Sequence, residues 1–200
     1  MKKDDIDLLL FKECLDKNGR IILYPRGPSM APFINTKERI GVEKTKPEEI
    51  KRGDIVLFHP ENNIQQIRVH RVIKVYKRGE EYSFLIKGDS CLMEDGFIPE
   101  GRIIGKVILV VKGKKKLRFN TRWMKLVNYL LSRYSFITWY GYRYVIKGIL
   151  MKVKLPLIKN LLFKIFWISM IDIPKFFIGI LLTLAKTFSK GIVEADKCVS

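Results

Sequence analysis

Three short stretches carry side chains of the types that acyl chemistry uses. Ser29 stands in Gly27-Pro28-Ser29-Met30-Ala31-Pro32, His70 in Arg68-Val69-His70-Arg71-Val72-Ile73, and three carboxylates, Asp89, Glu94 and Asp95, follow Lys87-Gly88. A hydroxyl, an imidazole and a carboxylate together make a nucleophile, a general base and a group that orients the base. Proline fixes φ and glycine permits close backbone approach, so Ser29 is presented on a stiff turn. Free amides beside such a serine suit an oxyanion site. Each piece also has an ordinary structural reading. The serine can cap a Pro-rich turn, the histidine can sit on a strand surface, and an Asp-Gly pair such as Asp95-Gly96 can simply be a turn. His59, in Phe58-His59-Pro60, is the other imidazole, at the end of a run before a proline. Any of the three carboxylates could accept from the Nδ1–H of a histidine.

The elements that must position these groups are mostly strands. A short amphipathic helix is expected over Asp5–Lys17, stopped by Asn18-Gly19. Brief runs rich in branched residues follow, each closed by Gly, Pro, Asn or charge: Arg20–Tyr24, Arg39–Val42, Asp54–Phe58, Ile67–Tyr76, Tyr82–Ile86 and Ile103–Val111. Runs at this spacing predict a mainly β unit, a barrel or sandwich, over residues 1–111. Arg52-Gly53-Asp54 and Arg78-Gly79-Glu80 are expected turns.

Taken in order, five boxes resemble the signal peptidase I superfamily. They are Gly27-Pro28-Ser29-Met30-Ala31-Pro32, Gly53–Phe58, Val69-His70-Arg71-Val72-Ile73, Lys87-Gly88-Asp89 with Asp95 six residues on, and Ile104-Gly105-Lys106-Val107. The likeness covers roughly residues 20–111. His70 at the base position is similar to the endoplasmic-reticulum and sporulation branch, whereas leader peptidases and self-cleaving repressors use lysine. The resemblance implies a signal-peptidase-like β fold and a serine endopeptidase that removes signal or leader peptides from a precursor, with a preference for small side chains before the cleaved bond. It implies Ser29 as nucleophile, His70 as general base, and Asp89 and Asp95 as the two acids of the box; spacing leaves open which of them faces the imidazole, Asp95 being preferred as orienter and Asp89 as a structural acid of the turn. The oxyanion site would be the Ser29 amide plus a group at Gly27, which must be backbone because Gly27 has no side chain. Met30 and Phe33 are the expected neighbours of the substrate. The alternative is a non-catalytic, membrane-tethered module of the same fold that grips a peptide strand without cutting it.

Charge is unevenly placed. Residues 1–111 carry 20 Lys+Arg against 17 Asp+Glu, while residues 112–200 carry 18 against 3. A second, helical region over 112–200 is expected, starting with a basic bridge at 112–118. Helices are expected at Trp123–Arg133, Tyr142–Lys154, Leu157–Ile171 and Lys175–Lys190, broken near Gly141, Pro156 and Pro174. Asp172, Pro174 and Lys175 interrupt the most apolar stretch, which favours helices lying in a membrane interface, or a shallow re-entrant hairpin, over a simple crossing; the alternative is a small helical bundle packed on the β unit or on another protein. Relatives usually carry a span before the serine box; here no long apolar run precedes it, so any anchor is expected at the other end. An anionic membrane surface is therefore the expected partner besides the precursor, with the side of the membrane open. Nucleic acid is not expected, because no helix-turn-helix, zinc-finger or RNA-recognition pattern accompanies the cations. Cys14, Cys91 and Cys198 form no CxxC pair, so neither a disulfide framework nor a metal site is indicated, and no cofactor is called for.

Overall fold

The computed structural model describes residues 13–60, 66–113, 115–146 and 192–194, with isolated positions between 156 and 165. Its strands are β1 (Arg20–Leu23), β2 (Arg39–Glu43), β3 (Ile55–Phe58), β4 (Arg68–Arg78), β5 (Glu81–Lys87), β6 (Gly96–Pro99), β7 (Ile103–Lys112), β8 (Lys115–Arg118) and β9 (Ile192–Glu194). They form one sheet in the order β1-β2-β7-β3-β4-β5-β6, with β8 paired to β7 and β9 to β8. Every pairing is antiparallel. One long helix, α1 (Arg122–Tyr140), follows β8. The chain is mainly antiparallel β with a helix on the C-terminal side of the sheet sequence.

Residues 13–18 are helical, and the Gly19 amide closes the helix onto the Leu15 carbonyl at 2.8 Å. Gly19 takes φ +67°, the left-handed conformation that ends helices cheaply only in glycine. The expected start of this helix lies outside the described residues. Gly79, at φ +62°, makes the tight turn between β4 and β5, where Arg78 pairs with Glu81.

β3 explains why the sheet needs cover on both faces. All four of its residues, Ile-Val-Leu-Phe, are buried. Ile55 and Leu57 join one apolar cluster with Phe33, Val69, Val107 and Met124. Val56 and Phe58 point the other way, into a second cluster with Val72, Phe84, Ile86 and Ile98. Alternate residues of a strand face opposite sides, so an unbroken apolar run is what a doubly covered strand requires.

Three strands lay outside the sequence expectation, β6, β8 and the three-residue β9 in the region expected to be helical. β6 is four residues bounded by glycine and proline, too short for a periodic signal. β8 lies in the stretch expected as a basic bridge: Leu117 is buried against β7 while Lys115 and Arg118 face solvent. The expected boundary at 112 therefore does not mark the end of the β unit. The helix beyond it, too, is part of the same packing. Met124, Val127 and Leu131 enter the first cluster, and Thr121 caps the helix by accepting the Met124 amide at 3.3 Å. Gly53, at φ +98°, comes so close that a Cβ would sit 2.8 Å from the Asn128 carbonyl. α1 runs on past the expected stop at Arg133 to Tyr140 and continues as a π turn, Gly141–Ile146. The helices expected beyond that point fall outside the described residues, apart from isolated positions.

The strongest polar tie is between sheet and helix. Arg71, on β4, has no exposed surface. Its guanidinium makes a two-pronged pair with Asp89, Nε to Oδ1 and Nη2 to Oδ2, both at 2.8 Å. Nη1 donates to the Gly53 carbonyl at 2.9 Å and to Asn128 Oδ1 at 2.8 Å, and the Phe33 ring lies 4.7 Å below. Removing one member of a buried pair strands the other charge. Arg71→Met is expected to lower unfolding free energy by about 3–5 kcal/mol, measured by urea denaturation at neutral pH.

Candidate active site

Strand periodicity decides what can meet. Arg68 pairs across with Phe58 and His70 with Val56, so both project on the face of the second apolar cluster. Val69 and Arg71, between and after them, project on the other face, toward α1. His70 is buried, with its ring centroid 6.0 Å from that of Phe58.

On this face the imidazole bridges two groups. Its Nδ1 lies 2.5 Å from Asp95 Oδ2 and its Nε2 lies 2.8 Å from Ser29 Oγ. An ionised carboxylate only accepts, so Nδ1 carries the hydrogen and donates it to Asp95. Nε2 is then left with a lone pair to accept the serine hydroxyl. Asp95 also accepts from Arg68 Nη1, at its other oxygen, at 2.9 Å. Burial works to raise the Asp95 pKa, but the hydrogen bonds and charges of His70 and Arg68 together outweigh it and hold the carboxyl below its usual range.

Ser29 is held from several directions. Pro28 and Ala31 close a turn, the Ala31 amide donating to the Pro28 carbonyl at 2.9 Å, and the Ala31–Pro32 peptide is cis. The turn after β5 grips this segment: the Ser90 amide donates to the Ser29 carbonyl and the Ser90 hydroxyl to the Pro28 carbonyl, both at 2.9 Å. Among the described residues, the amides of Gly27, Ser29 and Met30 donate to no backbone carbonyl. Gly27 takes φ +85°, with open space where a Cβ would be.

Gly88 is the closest approach in the site. A Cβ there would lie 2.7 Å from Cys91 Sγ, 2.8 Å from the Ser29 carbonyl oxygen and 3.1 Å from His70 Nε2. Any side chain would have to displace the serine turn or the imidazole. Beside the ring, an open hollow of about 510 Å³ is lined by Arg68, Cys91, Leu92, Met93 and Glu94 as well as His70 and Asp95. Burial raises the Cys91 thiol pKa, with Lys87 opposing it.

The expected site residues thus separate into three groups. Ser29, His70 and Asp95 come together. Asp89 does not touch the imidazole; it belongs to the Arg71 network on the opposite face of β4. Met30 and Phe33 do not line the hollow beside the ring. They are 3% and 1% exposed and lie in the first apolar cluster, Phe33 against the Phe119 ring at 5.4 Å. The Ile34 amide donates to the Met30 carbonyl at 2.9 Å, a helical spacing that turns both side chains inward as anchors for the serine turn. His59 is buried and its Nδ1 donates to the Gln66 carbonyl at 3.2 Å, away from the serine.

Two roles went unforeseen, that of Arg68 and the tie of Glu94, one of the three candidate carboxylates, to Trp139 and Arg143. Arg68 sits two residues before His70, and on a strand that spacing alone places it on the same face. Glu94 lines the hollow while its carboxylate accepts from Trp139 Nε1 and pairs with Arg143, so the end of α1 and the following π turn hold the loop that carries Asp95. No local pattern links positions 94, 139 and 143. Among the described residues no group of His, Cys, Asp and Glu is placed to hold a metal ion. No protein-family model matches the chain, and no curated protein sequence matches it.

Gly88→Ala is expected to slow covalent labelling of Ser29 by a serine-reactive probe by about 10²-fold, because about 1 Å of misplacement costs that much in such a site. Gly101→Ala, where a Cβ meets nothing within 4 Å, should leave labelling unchanged. The depressed Asp95 pKa also sets a pH dependence. Its stabilisation is complete above the unfolded carboxylate value of about 3.9 and is lost as pH falls through the lower native value. Asp95→Asn should therefore unfold more easily than the parent at pH 6, with the gap closing in strong acid, as read by urea midpoints.

Proposed function

We propose that the protein is a serine endopeptidase that cleaves a signal or leader peptide from a precursor protein or peptide. The observation that carries this reading is the unbroken hydrogen-bonded chain Ser29–His70–Asp95, at 2.8 and 2.5 Å, beside an open hollow. The five ordered boxes that resemble the signal peptidase I superfamily support the same reading and a fold of that family's kind.

In the proposed mechanism, His70 Nε2 takes the Ser29 proton as Oγ attacks the peptide carbonyl, then returns it to the leaving amine. Asp95 keeps the proton on Nδ1, so the base nitrogen faces the serine, and it stabilises the imidazolium that forms. Arg68 holds the far oxygen of Asp95, leaving the near one directed at the ring. The Ser29 amide, with a second backbone amide of the same turn at Gly27, stabilises the developing oxyanion. Water then repeats the cycle on the acyl-enzyme. The anionic membrane surface expected from the basic sequence beyond residue 111 is proposed as the second partner. No helix among the described residues is long and apolar enough to cross a membrane.

Ser29→Ala and His70→Ala are each expected to lower the cleavage rate by about 10⁴- to 10⁶-fold, followed by mass spectrometry on precursor peptides with alanine before the scissile bond. The two losses should not add, since the groups act as a unit. Near-parental cleavage by either variant would exclude this mechanism.

A further inference from the structure

α1 is built the wrong way round for a helix that only covers a sheet. Its eight buried residues include Asn128, Ser132, Ser135 and Thr138. Its outward side carries Trp123, Leu126, Leu130, Ile137 and Tyr140, continued by Tyr144, each 43–58% exposed. These positions recur at spacings of three and four, with one seven-residue step from Leu130 to Ile137, and so form a single stripe. The inner polar groups have partners. Asn128 accepts from Arg71, Ser132 donates to the Tyr129 carbonyl and accepts from Arg52, and Thr138 donates to the Ser135 carbonyl. The outer stripe is apolar except at the seven-residue step, which exposed Arg133 fills, and an exposed apolar stripe of this kind marks a contact surface.

Charge selects the occupant. Arg122, Lys125 and Arg133 are exposed on the same helix, and no Asp or Glu stands between Glu100 and Asp172. A second copy of the chain would bring the same cations to the contact, so self-association on this face is opposed. Aliphatic residues along the stripe, aromatic rings at both ends, Arg133 within it and Arg122 and Lys125 beside it match a headgroup layer over acyl chains, since a long arginine stem reaches up to the phosphates. The helix is about 28 Å long.

We infer that the outward stripe of α1 seats the protein on an anionic lipid surface, with the helix lying flat in the headgroup layer. This rests on the membrane association proposed above and names the surface responsible. The same helix end also reaches the hollow. Trp139 and Arg143, which hold Glu94 at the hollow, alternate along the helix with Tyr140 and Tyr144 of the stripe. The substrate class that fits is accordingly a precursor whose scissile segment lies on the membrane surface.

The test uses the full chain with its three cysteines replaced by serine and an environment-sensitive fluorophore on Ile137→Cys, or as control on Lys77→Cys in β4. Phosphatidylcholine vesicles containing phosphatidylglycerol are added, against phosphatidylcholine alone. The expected result is a blue shift at position 137, absent at 77, that requires the anionic lipid. In the parent chain, Leu126→Asp with Ile137→Asp should weaken sedimentation with anionic vesicles by about tenfold or more, with an unchanged far-ultraviolet spectrum. Vesicle binding that leaves the 137 label unmoved would assign the contact to another segment and overturn the inference. So would a 137 label already buried without lipid, which would show that another part of the chain or a partner covers the stripe. Neither readout involves cleavage, so failure here and failure of the peptidase reading are separable.

Discussion

Arg71 and His70 are neighbours on one strand and face opposite sides of it, and the site follows from that alternation. A guanidinium with no exposure is tolerable only because Asp89, the Gly53 carbonyl and Asn128 fill its donors. Those partners come from the turn after β5, the turn before β3 and the helix. Burying Arg71 therefore fixes three elements around β4 at once, and it leaves the next side chain, His70, no choice of face. Asp89 and Ser90 share the turn that grips the serine segment, so the ion pair on one side of the strand and the hydroxyl on the other are positioned by the same few residues.

The turn that carries Ser29 is braced from several sides. Met30, Phe33 and Ile34 anchor the serine turn from below. Lys112 ties it further, donating to the Phe33 carbonyl and pairing with Glu38, both at 2.8 Å. Gly88 lets the second turn close against the serine and the imidazole with no room to spare. Such support matters because a serine hydroxyl is a weak nucleophile, and its activation depends on holding donor and acceptor at hydrogen-bond distance. Arg68 and His70 together outweigh burial at Asp95, so the carboxylate stays charged in a site that would otherwise favour its neutral form.

α1 has two contrasting faces. Its inner face mixes the apolar Met124, Val127 and Leu131 with polar groups such as Asn128, which binds Arg71, and its outer side carries exposed apolar and aromatic residues. The Glu94 contacts with Trp139 and Arg143 connect the helix to the loop bearing Asp95. The boundary suggested by the change in charge at 112 misses this, because net charge reports what faces solvent and says nothing of Met124, Val127 and Leu131 packed beneath.

Much of the β unit was legible from the order of residues. Six strands and two turns follow from short branched runs and from glycines at tight bends, because alternation and backbone freedom are local properties. Residue type and order also brought Ser29, His70 and Asp95 forward as candidates. Other features depended on contacts between distant segments. Which carboxylate meets the imidazole is decided by register: Asp95 precedes β6 beside Ile86, while Asp89 turns toward Arg71. Met30 and Phe33 look like open loop residues until a helical turn folds them inward. β8 looks like a charge run until Leu117 finds β7. A sequence declares the period of each element and the chemistry available to it. Which groups come within 3 Å is set by how strands pair and which face each one buries, and that is decided only when the whole sheet closes over its core.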